Sequence, residues 1–255
     1  MNRIDQLFQK KREKVLSIYF TAGHPGLQDT VPIIRALEKS GVDMVEIGMP
    51  FSDPMADGPV IQQSSQKALN NGMNLKLLFE QLKNIRLDIK IPLLLMGYLN
   101  PVLQFGFENF SKKSKEVGID GFILPDLPLE EYIEIYKPIF EKNNLNNIFL
   151  ISPQTSTERV IKYDSYSKGF IYMVSSYSTT GSGKGLDQSQ SYFENMKEMK
   201  LRNPKMIGFG IRDRNTFQNA CRYANGAIIG TAFVKALESE SSIETKVSNF
   251  VKEIL

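Results

Sequence analysis

The sequence predicts an α/β protein, a single (β/α)8 barrel with an extra N-terminal helix, on three observations. Short β-rich runs alternate with helically periodic stretches along the 255 residues, an order that places helices outside a parallel sheet. Most of the runs are continuously apolar rather than alternating, as strands covered on both faces are. Eight strand–helix units also suit this chain length, since closed (β/α)8 barrels commonly take about 250 residues as one unit.

In chain order, residues 4–9 read as the extra helix, ahead of a first strand over 15–20. Helix 29–40 follows, with Val31, Ile34 and Leu37 spaced at roughly one per turn. Strands over 44–48 and 91–97 come next, then helix 107–117, strand 121–125, and helix 130–143 with Pro128 near its first turn. Strand 147–151 leads to a helix opened by Ser156-Thr157-Glu158, whose short polar side chains suit capping. Strand 170–175, helix 187–201, strand 205–209, helix 213–223 and strand 226–229 complete the series. An open doubly wound sheet is the alternative. It is disfavoured because no Gly-x-Gly-x-x-Gly follows the first strand and because the strand number matches closure. No Pro/Ser-rich linker divides the chain, so residues 1–255 read as one domain.

Composition narrows the function classes. Hydrophobic residues make up 42% and charged residues 23%, ordinary values for a folded globular chain. A net charge of +3, with dispersed basic residues, argues against nucleic acid or a membrane surface, and the run Lys10-Lys11-Arg12 with Lys14 reads as a solvated helix end. The single cysteine, Cys221, excludes a disulfide framework and reads as a small apolar residue. The N-terminus lacks an apolar signal region, and no run of about 18 apolar residues appears, so a cytoplasmic protein is expected.

In such a barrel the chemistry sits where strands end and the following loops begin. The second junction reads Val45-Glu46-Ile47-Gly48-Met49-Pro50-Phe51-Ser52-Asp53-Pro54-Met55-Ala56-Asp57-Gly58-Pro59. Strand alternation puts Val45 and Ile47 under the helices and Glu46 inside the ring. Desolvation there raises a carboxyl pKa, which suits a general acid that later acts as base; a structural salt bridge is the alternative. Asp53 and Asp57 follow in a Pro/Gly-rich loop, each alone as consistent with an Asx-turn as with catalysis. Glu46 from the strand with Asp57 from its loop is the more specific arrangement. Ile207-Gly208-Phe209-Gly210-Ile211 and Ile228-Ile229-Gly230-Thr231 end the last two strands in glycines, the usual position of a phosphate cradle, with tight turns alone as the alternative. Ser178-Thr-Thr-Gly-Ser-Gly-Lys-Gly185 could add donors. No lysine ends a strand, which argues against a Schiff-base aldolase. His24, the one histidine, is expected to be solvated and non-catalytic, and one His with one Cys offers no metal site.

The stretch Glu46-Ile-Gly-Met-Pro-Phe-Ser-Asp-Pro-Met-Ala-Asp-Gly-Pro59 resembles the signature of tryptophan synthase α subunits. The similarity extends through Tyr19-Phe-Thr-Ala-Gly-His-Pro-Gly26, Met96-Gly-Tyr-Leu-Asn-Pro101, Pro125-Asp-Leu-Pro-Leu-Glu-Glu131, Gly169-Phe-Ile-Tyr-Met-Val-Ser175, Gly208-Phe-Gly-Ile211 and Gly226-Ala-Ile-Ile-Gly230. The resemblance implies a TIM barrel that splits indole-3-glycerol phosphate into indole and glyceraldehyde 3-phosphate without metal or imine. Glu46 would protonate indole C3 and take the proton of the C3′ hydroxyl, and Asp57 would stabilise charge on the indole nitrogen. Tyr172 would support Glu46 or the substrate. Tyr98 and Leu95 would line the indole pocket near Phe209, and Gly181, Gly210, Gly230 and Thr231 would hold the phosphate.

A lid after strand six would pair Thr180 with Asp57 on closing. The family's usual Gly-Val-Thr-Gly is Ser178-Thr-Thr-Gly181 here, and its Gly-Ser is Gly230-Thr231. By the same resemblance, loops 50–59 and 100–106 would face a β subunit in an α2β2 complex, pyridoxal phosphate residing in that partner and no cofactor in this chain. A stand-alone lyase, or a subunit serving mainly to activate its β partner, are the other readings.

Overall fold

In the computed structural model, which describes residues 1–174 and 190–255, the strands form one parallel sheet that curls toward closure. They are β1 (Val15–Thr21), β2 (Met44–Gly48), β3 (Leu93–Met96), β4 (Gly121–Ile123), β5 (Asn146–Ile148), β6 (Leu150–Ile151), β7 (Ile171–Val174), β8 (Lys205–Gly208) and β9 (Gly226–Ile229). The order β5-β4-β3-β2-β1-β9-β8-β7-β6 begins and ends on neighbouring segments separated only by Phe149. β5 pairs with β4 and β6 with β7, and the Tyr172 amide donates to the Phe149 carbonyl at 3.0 Å. The fifth barrel strand is thus one stretch in two pieces, and the ring closes through it.

Outside the ring lie α2 (Thr30–Lys39), α3 (Pro59–Asn70), α4 (Leu75–Leu82), α5 (Leu99–Phe105), α6 (Phe107–Val117), α7 (Leu129–Glu131), α8 (Lys137–Asn143), α9 (Thr157–Tyr166), α10 (Gln190–Glu198), α11 (Arg214–Ala220), α12 (Thr231–Ala236) and α13 (Ile243–Ile254), after an N-terminal α1 (Arg3–Lys10). α3, α4 and α5 fill stretches where only strands and loops are expected from the sequence. The helix expected over 130–143 contains a π-helical stretch, Tyr132–Tyr136, between α7 and α8. Pro138 has no N–H for the Glu134 carbonyl four residues back, and a wider turn accommodates the lost bond. Ser156 caps α9, accepting from the Arg159 amide at 3.3 Å.

Period-two alternation divides the core into two layers. Leu16, Ile18, Val45, Ile47, Leu93 and Leu95 point outward and pack under the helices. Val15, Met44, Leu94, Ile123, Tyr172, Met206 and Ile228 point inward. α1 closes the N-terminal end of the ring, adding Ile4 and Phe8 to the inner layer. The Asn2 amide fastens it, donating to the carbonyls of Asp120 at 2.7 Å and Asn144 at 2.9 Å. Asp120, 3% exposed, accepts from Arg3 at 3.0 Å, from the Leu93 amide at 2.9 Å and from Arg86.

A buried carboxylate serving two arginines and a strand amide holds this end together. Asp120→Ala should therefore cost roughly 3–5 kcal/mol, because it leaves buried charge uncompensated. Urea unfolding is the check, and a loss below about 1 kcal/mol would mean that the cluster is not a structural anchor.

Candidate active site

At the opposite end of the ring, β2 carries Glu46 on its inward face, fully buried. The Ser17 hydroxyl donates to Glu46 Oε1 at 2.8 Å, while Oε2 has no hydrogen-bond partner among the described residues. Burial dominates, with Ser17 opposing it, and pushes the carboxyl from its ordinary 4.5 to about 8. Glu46 therefore keeps its proton at neutral pH.

Two inward tyrosines reach toward the mouth nearby. Tyr19 sits in register with Glu46 and Tyr172 with Met206. Each phenol leans toward the mouth over a glycine: a Cβ on Gly48 would overlap the Tyr19 hydroxyl, and one on Gly208 would overlap that of Tyr172. The absence of side chains at these two positions gives the rings their space. The charges of Glu46 and Asp57 both bear on both phenols, which places the four groups around one volume, and burial drives both tyrosine pKa values upward.

Asp57 reaches that volume from the β2–α3 loop. The Gln62 amide donates to its carbonyl at 2.8 Å, and its own amide reaches the Pro54 carbonyl at 3.3 Å. Tyr98 braces the same loop, its hydroxyl accepting from the Ala56 amide at 2.9 Å. Burial raises the half-buried Asp57 to about 6, against a Tyr98 hydrogen bond that favours the charged form. Asp57 is thus mostly ionised where Glu46 is mostly protonated.

Asp57 and Tyr19 line a cleft together with Phe51, Met96, Tyr98, Leu150 and Phe209, and Glu46, in register with Tyr19, is buried outside that lining. The Phe51 and Tyr98 rings lie 5.3 Å apart, and those of Tyr172 and Phe209 6.1 Å. Phe209 at φ 71° and Gly210 at φ 77° turn the backbone sharply after β8, a conformation that glycine adopts without steric cost. Gly230 precedes the first residue of α12, Thr231, with no side chain capping the helix. A Cβ on Gly230 would lie 3.4 Å from the Tyr19 ring.

Of the residues named from the sequence, Asp57, Tyr98 and Phe209 lie on the cleft, Tyr172 packs against Phe209, and Glu46 is buried in register with Tyr19. Leu95 is a correction. It points away from the cleft into the outer layer, because it alternates with Leu94 and Met96, the inward residues of β3. Thr180 and Gly181, with Ser178 and Thr179, lie outside the described residues. His24 is also corrected: it is 1% exposed rather than solvated, with Nε2 3.1 Å from Glu238, and burial lowers its pKa. Sequence reasoning missed Tyr19, Phe51, Met96 and Leu150. The signal for Tyr19 and Met96 was present, since alternation from the inward Glu46 across the ladder selects them. Exposed Asp53 pairs with Ser52 and does not line the cleft. Cys221 is half-buried, and burial raises its thiol to about 11. Among the described residues, no group of three or more His, Cys, Asp or Glu side chains could hold a metal ion.

The fold and site define a (β/α)8-barrel protein whose mouth pairs a protonated acid with an ionised one, an arrangement suited to acid–base chemistry. The family model described as tryptophan synthase alpha chain matches residues 5–254, and the chain belongs to that family. It is 60% identical to the tryptophan synthase alpha chain of Flavobacterium psychrophilum, with 100% of both chains covered. The alpha chain of Bacteroides thetaiotaomicron is 55% identical over 97% of each. Among solved structures, the alpha subunit of Legionella pneumophila superposes with a TM-score of 0.88 at 34% identity, covering 100% of this chain and 97% of that one.

Folding raises the Glu46 pKa, so between about pH 4.5 and 8 the folded chain keeps a proton that the unfolded chain releases. Stability contributed at this position therefore falls as pH rises through that window and stays low above it. Glu46→Gln should recover a few kcal/mol at pH 9 and little at pH 4, read from chemical denaturation at both values. An equal effect at the two pH values would show that burial does not perturb this carboxyl.

Proposed function

We propose that this chain cleaves indole-3-glycerol phosphate to indole and glyceraldehyde 3-phosphate by a retro-aldol reaction and passes indole to a β subunit. The observation that carries the reading is the split between two carboxyl groups, Asp57 on the cleft and raised to about 6, and Glu46 buried in register with the cleft residue Tyr19 and raised to about 8. Glu46 gives its proton to indole C3, and positive charge develops on the ring nitrogen. The Asp57 carboxylate faces that charge and stabilises it. Glu46, now ionised, takes the proton of the C3′ hydroxyl. The C3–C3′ bond breaks, its electron pair restores the aromatic ring, and the C3′ oxygen becomes the aldehyde. Glu46 ends the cycle protonated, as it began.

The cleft suits a flat aromatic ring. Phe51, Met96, Leu150 and Phe209 supply apolar surface, and Tyr98 supplies both surface and the bond that holds Asp57 ionised. The phosphate would rest on main-chain amides at Gly210, Gly230 and Thr231, where the backbone turns at positive φ after β8 and the start of α12 has no side-chain cap among the described residues. Gly181 would join them and Thr180 would pair with Asp57. No lysine lines the cleft among the described residues, so the proposal assigns pyridoxal phosphate to the β partner and no cofactor to this chain.

The partner reading draws support from exposed Met55, 89% accessible, and Leu103, 47% accessible, on the loop ahead of α3 and on α5. Both belong to the segments 50–59 and 100–106, at the end of the barrel that carries the cleft. No described helix is long and apolar enough to cross a membrane, in keeping with a cytoplasmic biosynthetic role.

Single-turnover release of indole from indole-3-glycerol phosphate, with and without the β subunit, tests the reaction. Equal rates in both cases would favour a stand-alone lyase. Activation of the β subunit without indole release would favour a purely regulatory chain. Glu46→Gln should lower kcat by roughly 10²–10⁴, and full turnover in that variant would remove Glu46 from the mechanism. In the active protein, kcat/KM should rise through about pH 6 as Asp57 ionises and fall through about pH 8 as Glu46 loses its proton. Tyr98→Phe removes a bond that lowers the Asp57 pKa, so the acid limb should move to higher pH, and an unmoved limb would dissociate Asp57 from it.

A further inference from the structure

Tyr19 is a cleft residue whose chemistry the reaction above leaves unused. Its position is specific. The side chain starts from β1 in register with Glu46, and its hydroxyl lies over Gly48, the next inward position of β2 above the acid. Its ring root faces Gly230, with Cδ1 3.4 Å and Cβ 3.6 Å from where a side chain there would begin. Tyr19 also lines the cleft beside Asp57 and Tyr98. It therefore stands where the aromatic cleft, the buried acid and the glycine end of the ring meet. A substrate with its ring in the cleft and its phosphate at Gly230 must lay its three-carbon linker across this side chain.

The hydroxyl has the right character for such contact. Burial first, and the charges of Asp57 and Glu46 after it, keep the phenol protonated, so it remains a donor. A phenol leaning over Gly48, with its ring root packed toward Gly230, has its direction set by the fold before ligand arrives, which is the condition for strong stabilisation of developing charge.

Resting on the reaction proposed above, we infer that Tyr19 is a further catalytic residue, donating a hydrogen bond to the C3′ oxygen of the substrate. As Glu46 takes the C3′ hydroxyl proton, electron density rises on that oxygen before the C3–C3′ bond opens. A donor aimed there stabilises the alkoxide-like state more than the starting alcohol. The Tyr19 proton stays on Tyr19, so the proton balance between Glu46, C3 and the C3′ oxygen is unchanged. The contact also makes Tyr19 a specificity determinant, since a tail without that hydroxyl gives the phenol nothing to meet.

The test compares the whole chain, assembled with its β subunit, with its Tyr19→Phe variant, which removes one oxygen and keeps the ring. The two readouts are kcat for indole-3-glycerol phosphate and the inhibition constant of indole bearing a three-carbon phosphate tail without hydroxyls. We expect kcat to fall roughly 10- to 100-fold, less than the loss of a full oxyanion-hole donor, with the inhibition constant unchanged within about twofold, inside the range of uniform binding effects. Unchanged kcat in Tyr19→Phe would overturn the assignment, as would a fall in kcat matched by equal weakening of the inhibitor, which would signal packing alone. Failure of the unmutated complex to release indole would overturn the reaction itself, an outcome separate from either of these.

Discussion

The structure depends on a carboxylic acid enclosed by a ring of parallel strands. Glu46 is fully buried, one oxygen bonded to Ser17 and the other without a hydrogen-bond partner among the described residues. Such a group is costly to ionise in a poorly solvated interior, and that cost lets it carry a proton at neutral pH. The surrounding sequence serves this placement. Gly48 and Gly208 omit side chains, and the Tyr19 and Tyr172 phenols occupy the space over them. Burial of the acid supplies the desolvation that raises its pKa.

The barrel separates cohesion from chemistry along its axis. At the N-terminal end, α1 seals the ring, and buried Asp120 gathers Arg3, Arg86 and the Leu93 amide. At the other end, loops and glycines replace this dense pairing, and the two carboxyl groups sit with raised pKa values. Strain and desolvation at the mouth are tolerable because they are offset by a closed sheet and a well-paired base. Asp57 illustrates the balance: a loop residue held through the Gln62 amide on its carbonyl and the Tyr98 phenol on its carboxylate.

Legibility in the sequence followed the range of the physics involved. The 44–48 and 226–229 strands were read with their observed bounds, as was the helix over 107–117, because apolar runs and local periodicity are written within a few residues. α3 and α4 escaped notice: their apolar faces are mixed with Gln, Ser and Lys, and the strong loop signature just before them drew the reading toward chemistry. Leu95 was given a pocket role by resemblance, against the alternation that turns it outward. His24 was expected in solvent because it lies in a Gly/Pro loop, yet that loop folds under Glu238, far along the chain.

By itself, the sequence determined the fold class, the inward orientation of Glu46 and the loop that bears Asp57. Each follows from spacing along a strand or from local turn chemistry. Tertiary structure alone decided that the fifth strand closes the ring in two pieces, that Tyr19 stands between the acid and Gly230, and how far each carboxyl pKa moves. Those outcomes depend on which atoms exclude water from a given point, and such atoms come from strands and loops far apart in the chain, a relation that no local pattern encodes.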